Sequence, residues 1–347
     1  MADALPPVEA DQLDGVLPPE QNLHSIIGHA AAREQLEHVL SVGRLPSAIM
    51  LSGPQGIGKA TLAYWLARRV LTATGDESGA RVDEQVVAGS HPNLFSLRRQ
   101  PRDTKGYYTV IRVDEVRELK ERLQRTRGRA GHRIAIVDAI DDCNPSAANA
   151  LLKTLEEPPS ETLFLLVTHR PGLLLPTIKS RCLRIVMRPL PDAEVGAVLT
   201  SQRPAGQGID HAVALAEGRP RRGFEALALN EEGALTMLGA WLNAPLGGKP
   251  GTHLAIADLL LSQAGGAETG FAREMIIDWL AAEVRDAALA GPASRRRLAS
   301  ANELWEKAHA LFADQESLNL DARQTLIAVF DAIRAHVHKT VSVAEPT

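Results

Sequence analysis

Residues 48–59 of the chain read AIMLSGPQGIGK. A short apolar run is followed by a glycine-rich turn that ends in Lys59, and a helical pattern begins after the lysine. Strand, glycine-rich loop and helix in this order form a Walker A loop, whose backbone N–H groups and lysine hold phosphates at the helix N-terminus. The pattern predicts a nucleotide site, whose residues are Gly53, Pro54, Gly56, Gly58, Lys59 and Thr61.

Two positions depart from the pattern of a site that hydrolyses ATP. Ala60 follows the lysine where the hydroxyl of Ser or Thr would ligate Mg²⁺, and Thr61 is displaced by one position. Ala139 follows the apolar run 134–138 where a glutamate would orient water, an effect worth about two to four orders of magnitude. We expect negligible hydrolysis by this chain alone and no required cofactor. Weak binding of ATP or ADP and a relic loop that binds nothing are both left open.

The first two thirds of the sequence alternate short apolar runs with helical patterns, which is typical of a parallel sheet with helices on both faces. Strands buried on both faces are predicted at residues 48–52, 134–138, 163–168 and 184–187. Helices are predicted at residues 34–42, 62–71, 113–123 and 144–157. The last helix is the best defined, because Asn144 can cap it and Pro145 fits its first position. The predicted fold class is α/β, followed by a helical C-terminal part.

The composition excludes several classes of protein. A length of 347 residues with 45% hydrophobic and 4% aromatic residues indicates two or three helix-rich domains. A net charge of -4 argues against a chain that binds nucleic acid over its whole surface. The apolar runs are far shorter than the ~20 residues of a membrane-spanning helix. We expect a cytoplasmic protein without membrane contact, and an acidic, proline-bearing tail at residues 1–22 that is disordered and no signal peptide.

A single arginine near the last predicted strand is a candidate catalytic residue. A short helical segment at residues 173–179 leads to Ser180, Arg181 and Cys182, which places Arg181 at a surface. A guanidinium held there can reach the nucleotide site of an adjacent subunit and accelerate phosphoryl transfer by ~10³ to 10⁵. A solvated surface arginine is the alternative.

Three blocks of sequence resemble the bacterial clamp-loader ATPases of the AAA+ class. They are residues 48–59, the run AANALLKTLEEPP at residues 147–159, and Ser180-Arg181-Cys182, and they occur in that family's order. The likeness covers residues 26–222. It implies a RecA-like AAA+ domain, a small helical lid and an all-helical C-terminal collar through which five subunits assemble.

The resemblance also divides the chain. It implies a RecA-like domain with a degenerate phosphate loop at residues 23–188, a lid at 189–230 and an oligomerisation collar at 231–347. In the lid, Gly218-Arg219-Pro220-Arg221 is similar to the family's sensor 2 segment, which makes Arg221 a candidate nucleotide contact. A simple contact at the start of a helix is the alternative for Arg221.

Members of this family with a working site keep Ser or Thr after the Walker lysine and Asp-Glu at the end of the strand of the Walker B motif. Another member lacks both the hydroxyl residue and the Asp-Glu pair but keeps Ser-Arg-Cys. Ala60 and Ala139 place this chain with the second kind. The resemblance implies a non-catalytic subunit of the DNA polymerase III holoenzyme that supplies Arg181 in trans to the tau/gamma ATPase. The implied partners are tau/gamma and delta, with primed DNA reached through the assembled complex and the sliding clamp as a further candidate.

Two further functions are left open. An active ATPase would use Thr61 to ligate Mg²⁺ and either Asp141 or Asp142 to orient water. A nucleotide sensor would bind ATP through Lys59 without hydrolysing it. The basic stretch at residues 111–133 is either a contact to DNA phosphates or a solvated helix face, because acidic residues are interleaved with its arginines.

Family members usually carry a zinc cluster of four cysteines after the first helix, and residues 72–91 of this chain contain no cysteine. The candidate ligands there lack thiolates and the paired spacing that zinc prefers; they are Asp76, Glu77, Asp83, Glu84 and His91. We expect no zinc. Cys143 and Cys182, the two cysteines of the chain, are predicted to be small buried residues.

Overall fold

Among the described residues of the computed structural model, five parallel strands form one sheet in the first of two units, which span residues 1–227 and 228–347. The residues that the structure describes are 13, 16–24, 26–101, 108–124, 129–203, 208–227, 233–247, 249, 251–262, 267–291, 294–318 and 320–341. None of the described helices combines the length and hydrophobicity that crossing a bilayer requires.

The sheet confirms the predicted α/β fold class. Its strands are β1 (Ala48–Ser52), β2 (Leu94–Leu97), β3 (Arg133–Val137), β4 (Thr162–Thr168) and β5 (Leu183–Val186). Their order across the sheet is β2-β3-β4-β1-β5, and each neighbouring pair is parallel. β1, β3 and β4 are buried along their whole length, as continuous apolar runs in a parallel sheet predict.

In the first unit, one α-helix precedes β1 and the other described α-helices follow strands or other helices. The regular structure described for the second unit is helical. The helices of the first unit are α1 (Ala30–Ser41), α2 (Lys59–Thr74), α3 (Gly79–Val87), α4 (Val113–Gln124), α5 (Pro145–Glu156), α6 (Pro176–Lys179), α7 (Asp192–Gln202), α8 (Ile209–Ala216) and α9 (Pro220–Leu227). In the second unit they are α10 (Ala234–Asn243), α11 (Thr252–Ser262), α12 (Ala267–Leu289), α13 (Arg295–Leu318) and α14 (Ala322–Val341). As predicted, Asn144 caps α5, since its side chain accepts a hydrogen bond from the N–H of Ala147 at 2.8 Å.

Two hydrophobic layers lie on the two faces of the sheet. Successive side chains of a strand point to opposite faces, and β4 follows this rule: Leu163 and Leu165 belong to the layer beneath α1, α2 and α3. Phe164 and Leu166 belong to the layer beneath α4 and α5. Burial of a side chain of this size is worth ~1.5 to 3 kcal/mol. The loop after β1 therefore runs between two elements packed in these layers, β1 and α2.

Both edge strands differ from the sequence prediction. β5 was predicted to be buried on both faces, and this is wrong: Leu183 is 39% exposed and Val186 is 62% exposed. The reason is position, because β5 ends the sheet beside β1. β2, at the opposite edge, is absent from the predicted set.

The segment before α1 also differs from the prediction. Pro19–Gln21 form a 3₁₀ turn, and the side chain of Glu20 pairs with Arg98 at 3.3 Å. Leu23 is 2% exposed and belongs to the hydrophobic layer beneath α2. Residues 16–22 are therefore packed against the domain and are not the disordered tail that was predicted. Residues 1–12, 14 and 15 of that tail, and the predicted boundary between lid and collar at 230 and 231, lie outside the described residues.

Candidate functional site

The glycine-rich loop joins the buried end of β1 to the start of α2. Gly53, Gly56 and Gly58 have φ angles of 155°, 80° and 96°, a region that side chains with a Cβ rarely adopt. A Cβ on Gly53 would lie 2.3 Å from the carbonyl oxygen of Met187, the residue that follows β5. The observed conformation of the loop therefore favours glycine at these three positions.

Lys59 is turned toward its own loop. Its side chain is buried, and Nζ donates hydrogen bonds to the carbonyl oxygens of Gly53 at 2.8 Å and Pro54 at 2.5 Å. Burial lowers the pKa of Lys59 to about 8, although the negative charges of Asp138 and Asp141 oppose that shift. A phosphate at this loop would have to compete with two carbonyl groups for the ammonium group.

A cavity of about 550 Å³ opens beside the loop. Its lining includes the basic side chains of Lys59, Arg98, Arg99 and Arg221 together with the carboxylate of Asp138. The lining also includes apolar residues from the segment before α1 and from the chain after β5, namely Leu17, Ile26, Ile27, Leu190, Val198 and Phe224. Basic and apolar groups in one cavity suit the phosphates and the base of a nucleotide. Thr61, half-buried on the first turn of α2, also lines the cavity.

The first turn of α9 rests directly on the loop. The backbone N–H of Arg221 donates to the carbonyl oxygen of Gly56 at 3.2 Å, and a Cβ on Gly56 would lie 2.8 Å from the Cβ of Arg221. The Arg221 side chain pairs with Glu225 at 2.9 Å. Arg221 thus makes the contact at the start of a helix that the sequence left open, and its contact with nucleotide stays a prediction.

Two residues of the cavity were not identified from the sequence. His29 has a φ of 54°, and its Nε2 lies 2.7 Å from the carbonyl oxygen of Ile57 in the loop. Burial lowers the pKa of His29, and a neutral ring that carries its proton on Nε2 donates this hydrogen bond. The other residue is Arg98, which directly follows β2 and is the partner of Glu20.

Arg98 lies among groups that a buried charge requires. Its Nη2 donates to the hydroxyl oxygen of Tyr64 at 2.8 Å and lies 3.3 Å from a carboxylate oxygen of Glu20. Burial lowers the pKa of Arg98 and raises the pKa of Glu20 and of Tyr64. The cluster joins the segment before α1, through Glu20, to α2 and to the end of β2. It therefore holds the segment before α1 against the domain, where this segment lines the cavity.

The carboxylates that could replace the missing glutamate have other partners. Asp141 accepts hydrogen bonds from the hydroxyl of Thr168 at 2.9 Å, from the N–H of His169 at 2.5 Å and from the N–H of Arg170 at 3.2 Å. Asp142 pairs with Arg99 at 3.2 Å. Asp141 therefore anchors the end of β4, and the geometry disfavours the active ATPase that the sequence left open.

Arg181 lies at the surface, as the sequence predicts. It follows α6, and its side chain is 36% exposed. One terminal nitrogen, Nη1, donates to the carbonyl oxygen of Thr177 at 2.8 Å, and the other, Nη2, lies 2.9 Å from Oε1 of Glu156 at the end of α5. The action of Arg181 on a neighbouring subunit stays a prediction.

A hydrogen-bonded cluster occupies the stretch where the family usually carries zinc ligands. Glu77 accepts from Gln85 at 3.1 Å and pairs with Arg129, and His91 Nε2 lies 3.7 Å from the other carboxylate oxygen of Glu77. Burial lowers the pKa of His91. Within the described ranges, no cluster of three or more His, Cys, Asp or Glu side chains fits a metal ion. The expectation of no zinc stays a prediction.

The two cysteines lie in environments that keep their thiols protonated. Cys143 and Cys182 are half-buried rather than fully buried, and burial raises the pKa of their thiols to about 12 and about 11. Neither is a thiolate near neutral pH.

In the basic stretch, three arginines pair with acidic residues one helical turn away: Arg112 with Glu115, Arg117 with Asp114 and Arg122 with Glu118. These pairs favour a solvated helix face over a DNA contact, and residues 125–128 of the stretch lie outside the described residues.

Comparison with known proteins finds similarity to subunits of DNA polymerase III. Residues 28–191 match the family model described as DNA polymerase III, delta subunit. The DNA polymerase III subunit delta' of Pseudomonas aeruginosa is 34% identical over 227 residues, which cover 57% of this chain and 66% of the relative. The delta' subunit of Escherichia coli is 36% identical over 163 residues, 46% of this chain and 47% of the relative. The tau subunit of Escherichia coli is 32% identical over 49% of this chain and 26% of its own length. The chain thus spans from about a quarter to two thirds of these relatives.

Solved structures give more distant matches. A DNA polymerase III gamma subunit-related protein of Thermotoga maritima has a TM-score of 0.39 and 19% identity, over 87% of this chain and 99% of that chain. The RuvB Holliday junction branch migration motor of the same organism has a TM-score of 0.44 and 16% identity, over 92% of this chain and 91% of that chain. Similarity at this level carries no argument about function.

The parallel sheet, the glycine-rich loop after β1 and the helix α9 that contacts this loop define an α/β domain with a loop of the Walker A type. Residues 28–191 are similar to the family described as DNA polymerase III, delta subunit.

Proposed function

We propose that the chain is the delta-prime subunit of a bacterial clamp loader, a subunit that does not hydrolyse ATP itself. In this proposal it supplies Arg181 in trans to the ATP site of a neighbouring tau/gamma subunit, and it supports the loading of the sliding clamp onto primed DNA during replication. It assembles with tau/gamma and delta in the cytoplasm. The relatives named delta' support this identity.

The chain's own nucleotide site supports the absence of hydrolysis. Ala60 offers no hydroxyl to Mg²⁺, and Ala139 offers no carboxylate to water. Asp141 is bonded to the groups that follow β4, and Lys59 is bonded to its own loop. Each of these features removes or occupies one part of the machinery that a hydrolysing site needs.

The exposed guanidinium of Arg181 is the observation that carries the proposal. A charged group that serves another subunit has to remain accessible, and the Arg181 side chain is 36% exposed at the surface of the first unit. Its planar, permanently charged guanidinium suits the oxygens of a phosphoryl group. A cation of this kind in the site of a neighbour accelerates phosphoryl transfer by ~10³ to 10⁵.

The test is ATP turnover in a complex reconstituted from this chain, tau/gamma and delta. We expect Arg181→Ala to lower turnover at the adjacent tau/gamma site by ~10³, and to slow clamp loading, while the complex still assembles. Arg184→Ala is the matched control, because Arg184 is an exposed arginine on the neighbouring strand β5. Equal turnover in the wild-type and Arg181→Ala complexes would contradict the proposal.

A second candidate function is nucleotide sensing, and the cavity lined by both basic and apolar side chains favours it. Under this function the isolated chain binds ATP or ADP without hydrolysis, and Lys59→Ala weakens binding by ~10-fold, as the loss of a charged hydrogen bond predicts. Fluorescence titration with a labelled nucleotide measures the affinity, with Arg181→Ala as the control that leaves it unchanged. Identical titrations of the wild type and Lys59→Ala would exclude a sensor that works through this loop.

A further inference from the structure

We propose that Glu156 is a positioning residue for Arg181: it holds the guanidinium in the orientation in which a neighbouring subunit receives it. The inference rests on the proposed function of Arg181 and adds a second residue to it. The supporting observation is the ion pair between Oε1 of Glu156 and Nη2 of Arg181 at 2.9 Å.

The backbone on both sides of this pair is fixed by the core. Glu156 is the last residue of α5, and the preceding Leu155 is 3% exposed. Arg181 follows α6, where Ile178 is fully buried in the same hydrophobic layer as Leu155. The pair therefore connects two anchored helix ends, and the position of each Cα is set before the side chains interact.

One hydrogen bond and one ion pair then hold the side chain. Nη1 of Arg181 donates to the carbonyl oxygen of Thr177 at 2.8 Å, and Nη2 lies 2.9 Å from Oε1 of Glu156. Contacts at both terminal nitrogens restrict the orientation of the guanidinium. Because a guanidinium has five N–H donors, these two contacts do not use them all. The group is held while it keeps donors for a phosphate.

Preorganisation is the physical benefit. A long arginine side chain in water samples many rotamers, and each must be given up when the guanidinium enters a site. A side chain already held in one geometry loses less freedom at that step. A misplacement of about 1 Å in a phosphoryl-transfer site can cost about 100-fold in rate. Loss of Glu156 should therefore lower kcat at the neighbouring site and leave the KM for ATP nearly unchanged.

The test is a double-mutant cycle in the complete complex with tau/gamma and delta. We expect Glu156→Ala to lower kcat of ATP turnover by about 10-fold, an intermediate loss for a guanidinium that is present but loosely held. Glu156→Gln should recover part of the rate, because the amide oxygen still accepts a hydrogen bond. In the Arg181→Ala background, Glu156→Ala should cause no further loss. Glu157→Ala is the control, since Glu157 is exposed and adjacent.

The outcomes separate the two proposals. If Arg181→Ala lowers turnover and Glu156→Ala behaves like Glu157→Ala in an assembled complex, the positioning role is overturned and the trans role of Arg181 remains. If Glu156→Ala raises turnover, the ion pair restrains Arg181 from its partner, which also overturns the inference. If Arg181→Ala has no effect, the proposed function itself fails. Size-exclusion chromatography of each complex verifies that assembly is intact.

Discussion

At the scale of single residues, the phosphate loop keeps its glycines and its lysine but has lost the two groups that hydrolysis needs. These losses, Ala60 and Ala139, could be predicted from the sequence because each stands at a fixed distance from a motif. The partners of Lys59 could not be predicted, since the carbonyl groups of Gly53 and Pro54 approach Nζ only once the loop has turned. The pairing of Glu156 with Arg181 was missed for a similar reason: the two residues are 25 positions apart, and the packing of α5 and α6 brings them together.

The buried ammonium group of Lys59 predicts a pH dependence of stability. Burial lowers its folded-state pKa to about 8 from 10.5, so between these values the unfolded chain binds more protons than the folded chain does. The free energy of unfolding should therefore rise with pH across this window, with a slope of up to ~1 kcal/mol per pH unit from this group. Below pH 8 both states are protonated, and the cost of the buried charge is present in full.

Urea unfolding of the wild type and of Lys59→Met between pH 7.5 and 9.5 measures this effect. The methionine variant removes the titrating group and keeps a long apolar side chain, so its stability should change less with pH. Parallel pH profiles for the two proteins would show that Lys59 titrates alike in the folded and the unfolded chain.

At the scale of helices and strands, the central strands were predictable and the edge strands were not. β1, β3 and β4 are continuous apolar runs because both of their faces are buried. β2 is only four residues long and contains an exposed serine, so its pattern is too short to stand out from a loop. Arg98, which follows β2, was missed together with the strand that positions it. The segment at residues 16–22 was misjudged because its prolines and acidic residues are typical of a tail, whereas Glu20 is held by Arg98.

In the second unit, a partly buried polar cluster connects three helices. Glu283 on α12 accepts from Arg297 on α13, with both oxygens at 2.7 Å from the guanidinium, and lies 3.0 Å from Nε2 of the buried His336 on α14. Nδ1 of His336 lies 2.9 Å from the hydroxyl of Ser300. The hydrogen bond from His336, followed by that from Arg297, lowers the pKa of Glu283 to about 2. The cluster thus holds a carboxylate charged at a place where three helices meet.

We expect Glu283→Gln to lower the free energy of unfolding by ~1 to 3 kcal/mol at neutral pH, because it weakens two charged hydrogen bonds. The carboxylate stabilises the fold above its unfolded pKa near 4.5, and this contribution is lost as the pH falls toward about 2. Urea unfolding at pH 7 and pH 3 measures the change, and the effect of Glu283→Gln should be smaller at pH 3. Glu303→Gln, on an exposed face of α13, is the control. A loss no larger than that of Glu303→Gln would contradict the prediction.

At the scale of the whole molecule, the sequence predicted a parallel-sheet domain followed by helices, and the structure has both. The parallel sheet was predictable because apolar runs and helical patterns alternate along the first part of the chain. The zinc cluster expected of the family is replaced in the sequence by residues without thiolates, and the structure places Glu77, His91 and Arg129 in contact there. Contacts between residues that are distant in sequence depend on which segments the fold brings together, and no local sequence pattern predicts them.

The hydrogen bond from the N–H of Arg221 to the carbonyl oxygen of Gly56 couples two parts of the molecule that are 165 positions apart in the chain. The lid cannot tilt away without breaking this bond, and the loop cannot change shape at Gly56 without displacing the first turn of α9. A change of loop shape at Gly56 and a movement of the first turn of α9 are therefore coupled through this hydrogen bond.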